Sequence, residues 1–267
     1  MRGWLSERID KAFRDEKPNE YRSSRIGASI IGNPCEAYLA FQVRGFPEVA
    51  TTPRFKRIFR DGHRIEKIVL GDLKKAGHLV HEVDPMTGKQ YMWSKYDGFV
   101  VFYADGIIEG VGGEPAMLLE VKSMAGSLWD RFKTRGLQVS HPKYYDQLQL
   151  GMGMSGYRKG VLIAYNKDTS EYWDQTIEFD EIRYHFLLNR ATRVLMGYAE
   201  KIATDPTDWR CKSCPKKAEC WDGAPVVKDM KTCANANPGE KGFVCSKGCK
   251  GKCEDWVRFE PKPRSVL

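Results

Sequence analysis

Residues 116–124 constrain this chain more than any other segment, because the apolar lead-in Met117-Leu118-Leu119 runs straight into Glu120-Val121-Lys122. The residue types and the alternation favour a strand, whose period of two places Leu118, Glu120 and Lys122 on one side. An apolar run of this kind suits a strand buried on both faces. A carboxylate and an ammonium in such a strand carry a large desolvation cost unless partners meet them. A solvated amphipathic face would also show Glu-x-Lys; the lead-in argues for a charged site built into the core instead.

Two further segments place acids in comparable positions. Residues 55–76 read as a helix, with Phe59, Gly62, Glu66, Val69 and Leu73 on one face, and Glu66 interrupts that face. Residues 96–104 read as a strand on which Phe99, Val101, Tyr103 and then Asp105 share a side. A link containing Gly110, Gly112, Gly113 and Pro115 joins it to 116–124. Taken singly, Asp105-Gly106 is also readable as a turn and Glu66 as a helix-surface residue. Neighbouring strands lie about 4.8 Å apart, so Asp105 and Glu120 can reach one cation between them. Three carboxylates on a hard divalent ion are what phosphodiester hydrolysis requires: a polarised phosphate, an activated water and a neutralised leaving oxygen. Lys122 completes the set, to hold or help deprotonate the water or to stabilise the charged phosphate.

The rest of the chain supplies a frame. Residues 142–154 read as a helix, 160–165 and 171–179 as strands joined by Asn166-Lys167-Asp168, and Asp180 as the cap of a long helix. That helix has Ile182, Phe186, Val194, Leu195, Tyr198 and Ile202 as its apolar positions. The alternation predicts an α/β domain with a mixed sheet. Near Asp205-Pro206 the composition changes to Lys, Gly, Pro and Cys, which divides the chain into a main domain, 1–205, and a cysteine-rich region, 206–267.

A formal charge of +8, from 43 Lys and Arg against 35 Asp and Glu, favours polyanionic partners, nucleic acid first among them. The N-terminal stretch lacks a signal-peptide apolar run, and no segment matches the length of a membrane span. An intracellular protein with no membrane partner is expected. In a reducing compartment, closely spaced cysteines read as metal or cluster ligands. Cys211-x-x-Cys214-x5-Cys220 brings three thiolates into one short loop that cannot easily supply a fourth tetrahedral corner, and Cys35, before a short helix, is the candidate fourth. A buried, unliganded Cys35 is the other reading. Cys233, Cys245, Cys249 and Cys253 form a second foursome, open to zinc, to free thiols or to service as alternative cluster ligands. Lys241, Lys247, Lys250 and Lys252 interleave these cysteines, as a phosphate-facing set or a solvated basic tail.

Gly62-x-x-x-Glu66, Asp105, Glu120-Val121-Lys122 and Tyr145-x-Gln147-Leu148, in this order and spacing, resemble the PD-(D/E)xK nuclease superfamily in its RecB-like branch. The resemblance spans nearly the whole chain and implies a restriction-endonuclease-like mixed sheet flanked by helices. It implies Mg2+ or Mn2+ on Glu66, Asp105 and Glu120, with Lys122 serving the water. Members often carry His at the helix position, and His63 lies one turn before Glu66, so both are candidates. The family's Gln-x-x-x-Tyr stands here as Gln147-x-x-x-Gly151. Gln147 is left to contact DNA, to orient the lysine or to be a polar helix position, and Tyr144 and Tyr145 to stack on a base or fill core.

One early cysteine plus a terminal Cys-x-x-Cys-x5-Cys resembles the iron-sulfur nucleases of the AddB type and of CRISPR adaptation. That implies a structural 4Fe-4S cluster on Cys35, Cys211, Cys214 and Cys220; zinc on four thiolates is the alternative. The expected function is a DNA exonuclease in recombination, repair or phage DNA processing, in the cytoplasm of a bacterial or phage-infected cell, with recombination or replication proteins as partners. A structure-specific endonuclease and a non-catalytic, zinc- or cluster-stabilised DNA-binding module are the alternatives.

Overall fold

The computed structural model describes residues 3–16, 24–110, 113–249 and 253–264; Gly112, Lys250 and Lys252 lie outside them. Helix α1 (Trp4–Asp15) buries none of its side chains and precedes a short strand, β1 (Ile26–Gly27), and two helices, α2 (Ala28–Ile31) and α3 (Glu36–Val43). The long α4 (Pro53–Lys75) starts with Thr52 accepting from the Phe55 N–H and with proline at the first helical position. Then come β2 (Leu79–His81), β3 (Met92–Lys95), β4 (Val100–Tyr103), β5 (Gly106–Glu109) and β6 (Met117–Met124). Helices α5 (Gly126–Ser140) and α6 (Pro142–Ser155) lead to β7 (Lys159–Asn166), β8 (Tyr172–Glu178) and α7 (Glu181–Leu195). Two short helices, α8 (Trp209–Lys212) and α9 (Lys217–Trp221), and a hairpin of β9 (Ala236–Gly239) and β10 (Gly242–Cys245) complete the chain.

The larger sheet has the order β2-β5-β6-β7-β8, with β6 and β7 parallel and the other pairs antiparallel. A smaller sheet joins β1, β4 and β3. The architecture is α/β, a mixed sheet flanked by helices, with cysteines gathered towards the C-terminus. Strand β6 is covered on both faces, as its apolar lead-in required. Met117, Leu119 and Val121 pack with Val69 and Leu70 of α4, while Leu118 and Met124 belong to the core that includes Leu148 of α6 and Leu187 of α7. Glu120 and Lys122 therefore share the side of the strand that α6 covers.

Several expectations need correction. Of the strand expected over 96–104, residues 100–103 form β4, while 96–99 are the turn of a hairpin with β3, where Tyr96, Asp97 and Gly98 have positive φ. Asp105 sits at the kink between β4 and β5, and β5 had no counterpart in the sequence reading. On α7 the buried residues are Tyr184, Leu187, Ala191, Val194 and Leu195; Ile182 and Phe186 are exposed, and Tyr198 and Ile202 lie past the helix end. On α4 only Val69 and Leu70 are buried, and Phe59 is exposed. Helix α5, also unforeseen, breaks at Gly136, whose φ of 69° excludes most side chains and frees the Leu137 N–H to donate to Gln175 at 2.8 Å.

Helix α6 meets β4 through a bare backbone. A Cβ at Gly151 would lie 2.5 Å from the Phe102 ring, so Phe102 occupies the space that a larger residue would take there. Gly151→Ala is expected to cost about 1–3 kcal/mol through overpacking. A melting temperature lower by several degrees in calorimetry is the expected reading, and an unchanged one would show that Phe102 moves aside freely.

Candidate active site

The register places Asp105 and Glu120 across from each other, one step beyond the Gly106–Leu119 pair. Asp105 Oδ2 accepts from the Val121 N–H at 2.8 Å, which pins the kink to the middle of β6. Glu120 has no exposed surface. Its Oε1 accepts from Gln147 Nε2 at 2.7 Å and pairs with the Lys122 ammonium. Its Oε2 is buried and, among the described residues, has no hydrogen-bond partner. Gln147 projects from α6, so the helix expected over 142–154 delivers it to Glu120. It orients the carboxylate rather than the lysine.

Glu66 reaches the site from α4. His63 Nδ1 lies 3.8 Å from Glu66 Oε2, yet the His63 side chain is 81% exposed against 30% for Glu66. The acid thus turns inward and the histidine outward, which separates the two candidates for the helix position. Tyr144 joins the site, its ring centre 5.0 Å from Lys122 Nζ and stacked on His141 at 5.5 Å. Tyr145 is core, with its hydroxyl 3.4 Å from Asp180. Arg25, Ser29 and Gln90, which the sequence reading did not single out, line a cavity of about 370 Å3 together with Asp105 and Gln147.

The electrostatics follow from crowding acids where water is scarce. Burial pushes the Glu120 carboxyl up to about 8, against the opposing charge of Lys122 and with help from Asp105 and Glu66. Asp105 is raised by burial despite Lys122, the Val121 N–H and His63. Glu66 is raised by burial and then by Asp105, against His63 and Lys122. Burial works to lower the Lys122 pKa, but Glu120 and Asp105 overcome it and hold the ammonium charged. Three acids that resist ionisation together, one with an unpartnered buried oxygen, fit a hard divalent cation. Among the described residues no three His, Cys, Asp or Glu side chains already stand as a ready-made cage for an ion.

The first cysteine group shares one cavity, of about 450 Å3, lined by Cys35, Cys211, Cys214 and Cys220. Asn33 accepts from the Cys35 N–H at 3.0 Å, and Arg190 donates to the carbonyls of Ile31 and Asn33, which fixes the Cys35 loop on α7. Lys216, almost wholly buried, donates to the Phe46 and Pro47 carbonyls at 2.6 and 3.1 Å and ties the other three cysteines to the core. Burial raises the thiols of Cys211, Cys214 and Cys220, the last up to about 12. Cys233, Cys245, Cys249 and Cys253 line a separate cavity. Among the described residues, no helix is long and apolar enough to cross a membrane.

Neither a protein-family profile nor a curated protein sequence matches the chain. Among solved structures, the alkaline exonuclease LHK-Exo from Laribacter hongkongensis aligns over 71% of this chain and 91% of its own, at 17% identity and a TM-score of 0.47. LHK-Exo in complex with dAMP aligns over 66% and 88%, at 18% identity and a TM-score of 0.45. The protein SSO0001 aligns over 82% and 98%, at 16% identity and a TM-score of 0.44. At such distances the chemistry of the site must be argued from its own residues.

Proposed function

We propose that this chain is a divalent-metal-dependent deoxyribonuclease of the PD-(D/E)xK kind, cutting phosphodiester bonds at DNA ends. Glu120 carries the reading: a fully buried carboxylate with one oxygen held by Lys122 and Gln147 and the other left without a partner among the described residues. Such a group is costly unless a cation answers it. Glu66, Asp105 and Glu120 would hold the ion. Mg2+ or Mn2+ bound there would polarise the phosphate and lower the pKa of an attacking water.

The chain's own residues divide the remaining work. Lys122, held charged by Glu120 and Asp105, donates to oxygens that gain charge during the reaction. Gln147 fixes the orientation of Glu120. Arg25 and Ser29, beside Asp105 in the adjoining cavity, offer donors to a backbone phosphate. Tyr144, with the Lys122 ammonium over its ring and His141 stacked on it, helps hold the lysine in place. The net charge of +8 supports a polyanionic substrate. Preference for ends, and a place in recombination, repair or phage DNA processing, follow from the RecB-like resemblance. For Cys35, Cys211, Cys214 and Cys220 we favour a structural 4Fe-4S cluster over zinc, on the resemblance of one early cysteine plus Cys-x-x-Cys-x5-Cys to the iron-sulfur nucleases.

Lys122→Ala is expected to reduce Mg2+- or Mn2+-dependent DNA degradation at least about a hundredfold while DNA binding persists. The fold should tolerate the change, because Glu120 can take a proton once the lysine is gone. Digestion of 5'- and 3'-labelled linear DNA beside closed circles checks both activity and end dependence. Cutting of circles would move the assignment to an endonuclease, and a wild type inert with either ion would leave a DNA-binding module.

Ion binding should be linked to pH. The folded Glu120 carboxyl lies near 8 against an ordinary 4.5, so its ionisation opposes folding. The ion-free protein keeps this stability below the ordinary carboxylate range and loses it as pH rises towards 8. An added ion displaces the proton, so the rise in melting temperature with Mg2+ or Mn2+ should be larger at pH 8.5 than at pH 6. A rise that is flat across this range would remove the three acids as ligands.

The cluster assignment predicts brown protein whose visible absorption bleaches on reduction and is lost in Cys35→Ser. Colourless protein with zinc at these four cysteines would replace the cluster and leave the nuclease reading intact.

A further inference from the structure

The second cysteine group takes no part in the reaction proposed above. Cys233, Cys245, Cys249 and Cys253 line one cavity of about 260 Å3, with Met230 and Trp256 among its walls. The β9–β10 hairpin brings the first two together, since Cys245 pairs with Ala236, three residues past Cys233. Cys245 Sγ then accepts from the backbone N–H groups of Lys247 and Cys249. Cys249 Sγ contacts both Cys245 and Cys253, and it lies 2.8 Å from Cys253 Sγ. Four thiols spread over 21 residues of sequence thus face one cavity.

Little else holds this segment in shape. Arg44 anchors its base, donating to the carbonyls of Lys231 and Cys233 and to Asn237 Oδ1. Beyond that anchor Val244 and Val257 are exposed, and Cys233, Ala236, Phe259 and Pro261 are the buried apolar side chains among the described residues from 226 onwards. A segment this small has too little core to fix its own loops, and such segments ordinarily need a covalent or metal staple.

We infer that Cys233, Cys245, Cys249 and Cys253 form a second, structural metal site, a tetrahedral zinc tetrathiolate that fixes the C-terminal segment. Zinc is favoured over a cluster because two of the sulfurs, of Cys249 and Cys253, lie 2.8 Å apart, closer to the spacing of two ligands on one ion than of ligands on separate irons. On loading, each thiol passes its proton to solvent, so one Zn2+ and four thiols give a dianionic site and four protons. Lys228, on the cavity wall, and Lys247 answer that charge. Two sulfurs on one tetrahedral zinc stand about 3.8 Å apart, so loading spreads Cys249 and Cys253 by about 1 Å. Among the described residues no three side chains already stand as a cage, so loading also draws Cys233 and Cys245 towards the Cys249–Cys253 pair.

The test uses the full chain with Zn2+ alone, then Co2+ as a coloured probe. Zinc should bind at roughly one ion per chain, with Co2+ giving intense thiolate-to-metal absorption and tetrahedral visible bands. Alkylation mapped by mass spectrometry should show Zn2+ protecting these four thiols together. Cys249→Ser and Cys253→Ser should lose the ion while any iron absorption, and the nuclease activity proposed above, persist. Because protection is read on the wild type, misfolding of a variant cannot mimic or hide the result. Alkylation of all four thiols at the same rate with and without Zn2+ would overturn the inference, as would a Cys249–Cys253 disulfide in protein purified under reducing conditions.

Discussion

The burial of Glu120 against Lys122 governs how the main domain is built. An ionised carboxylate with no exposed surface costs several kcal/mol after relaxation, and nearby cations and donors recover it only with good geometry. The ammonium comes from the same strand and the amide from α6, so strand and helix must meet in one register. That register is held from outside the site. Asp146, adjacent to Gln147, makes a two-pronged pair with Arg183 of α7 at 2.6 and 2.7 Å, and the Gln149 amide bridges the Glu178 carbonyl and the Asp180 N–H. The polar residues 146, 147 and 149 are all buried and all bonded, so α6 cannot slide without breaking several of these contacts together.

A second constraint acts at the chain's other end. Arg44, 1% exposed, places its guanidinium 3.8 Å from the centre of the Phe259 ring while donating to backbone carbonyls of the C-terminal segment. Arg258 works in the opposite direction, donating to the Glu219 and Ala224 carbonyls. With Arg190 on the Cys35 loop, these arginines fold the cysteine-bearing segments onto the helices α3 and α7. Their guanidiniums suit the task because a planar fork serves several carbonyls at once.

What the sequence disclosed depended on whether a residue's environment was local. The strand at 117–124, the helix at 142–155 and the cap at Asp180 were legible because period, length and capping chemistry are written in neighbouring residues. Asp105, Glu120 and Lys122 were visible as charges set into apolar patterns and Gln147 through the family resemblance, and the structure brings them together. The β3–β4 turn carries a hairpin signature in Asp97-Gly98, both with positive φ, but it was masked by the apolar alternation that runs on through Phe99, Val101 and Tyr103. Strand β5 was hidden because its four residues merge into a glycine-rich link. On α7, Ile182 and Phe186 misled because apolar residues occur on both faces, and only packing reveals which face the core takes. Arg25 and Arg44 carried no signal at all, since a lone arginine looks alike whether it lies on the surface or is wholly enclosed.

The two kinds of donor atom sit in environments that sharpen the difference between them. The oxygen site holds acids whose pKa values burial has raised, to about 8 at Glu120, so protons compete with weakly bound cations near neutrality. Hard dications bring enough charge to displace those protons, and oxygen donors suit them. At Cys220 the thiol is raised to about 12, so a proton holds the sulfur against anything except a thiophilic metal. Lys122 reinforces the division, because a fixed ammonium beside the carboxylates repels a cation that cannot repay the repulsion with strong ligation. On the assignments proposed above, the burial that raises these groups also favours a hard dication at the oxygen site and a thiophilic metal at the cysteines.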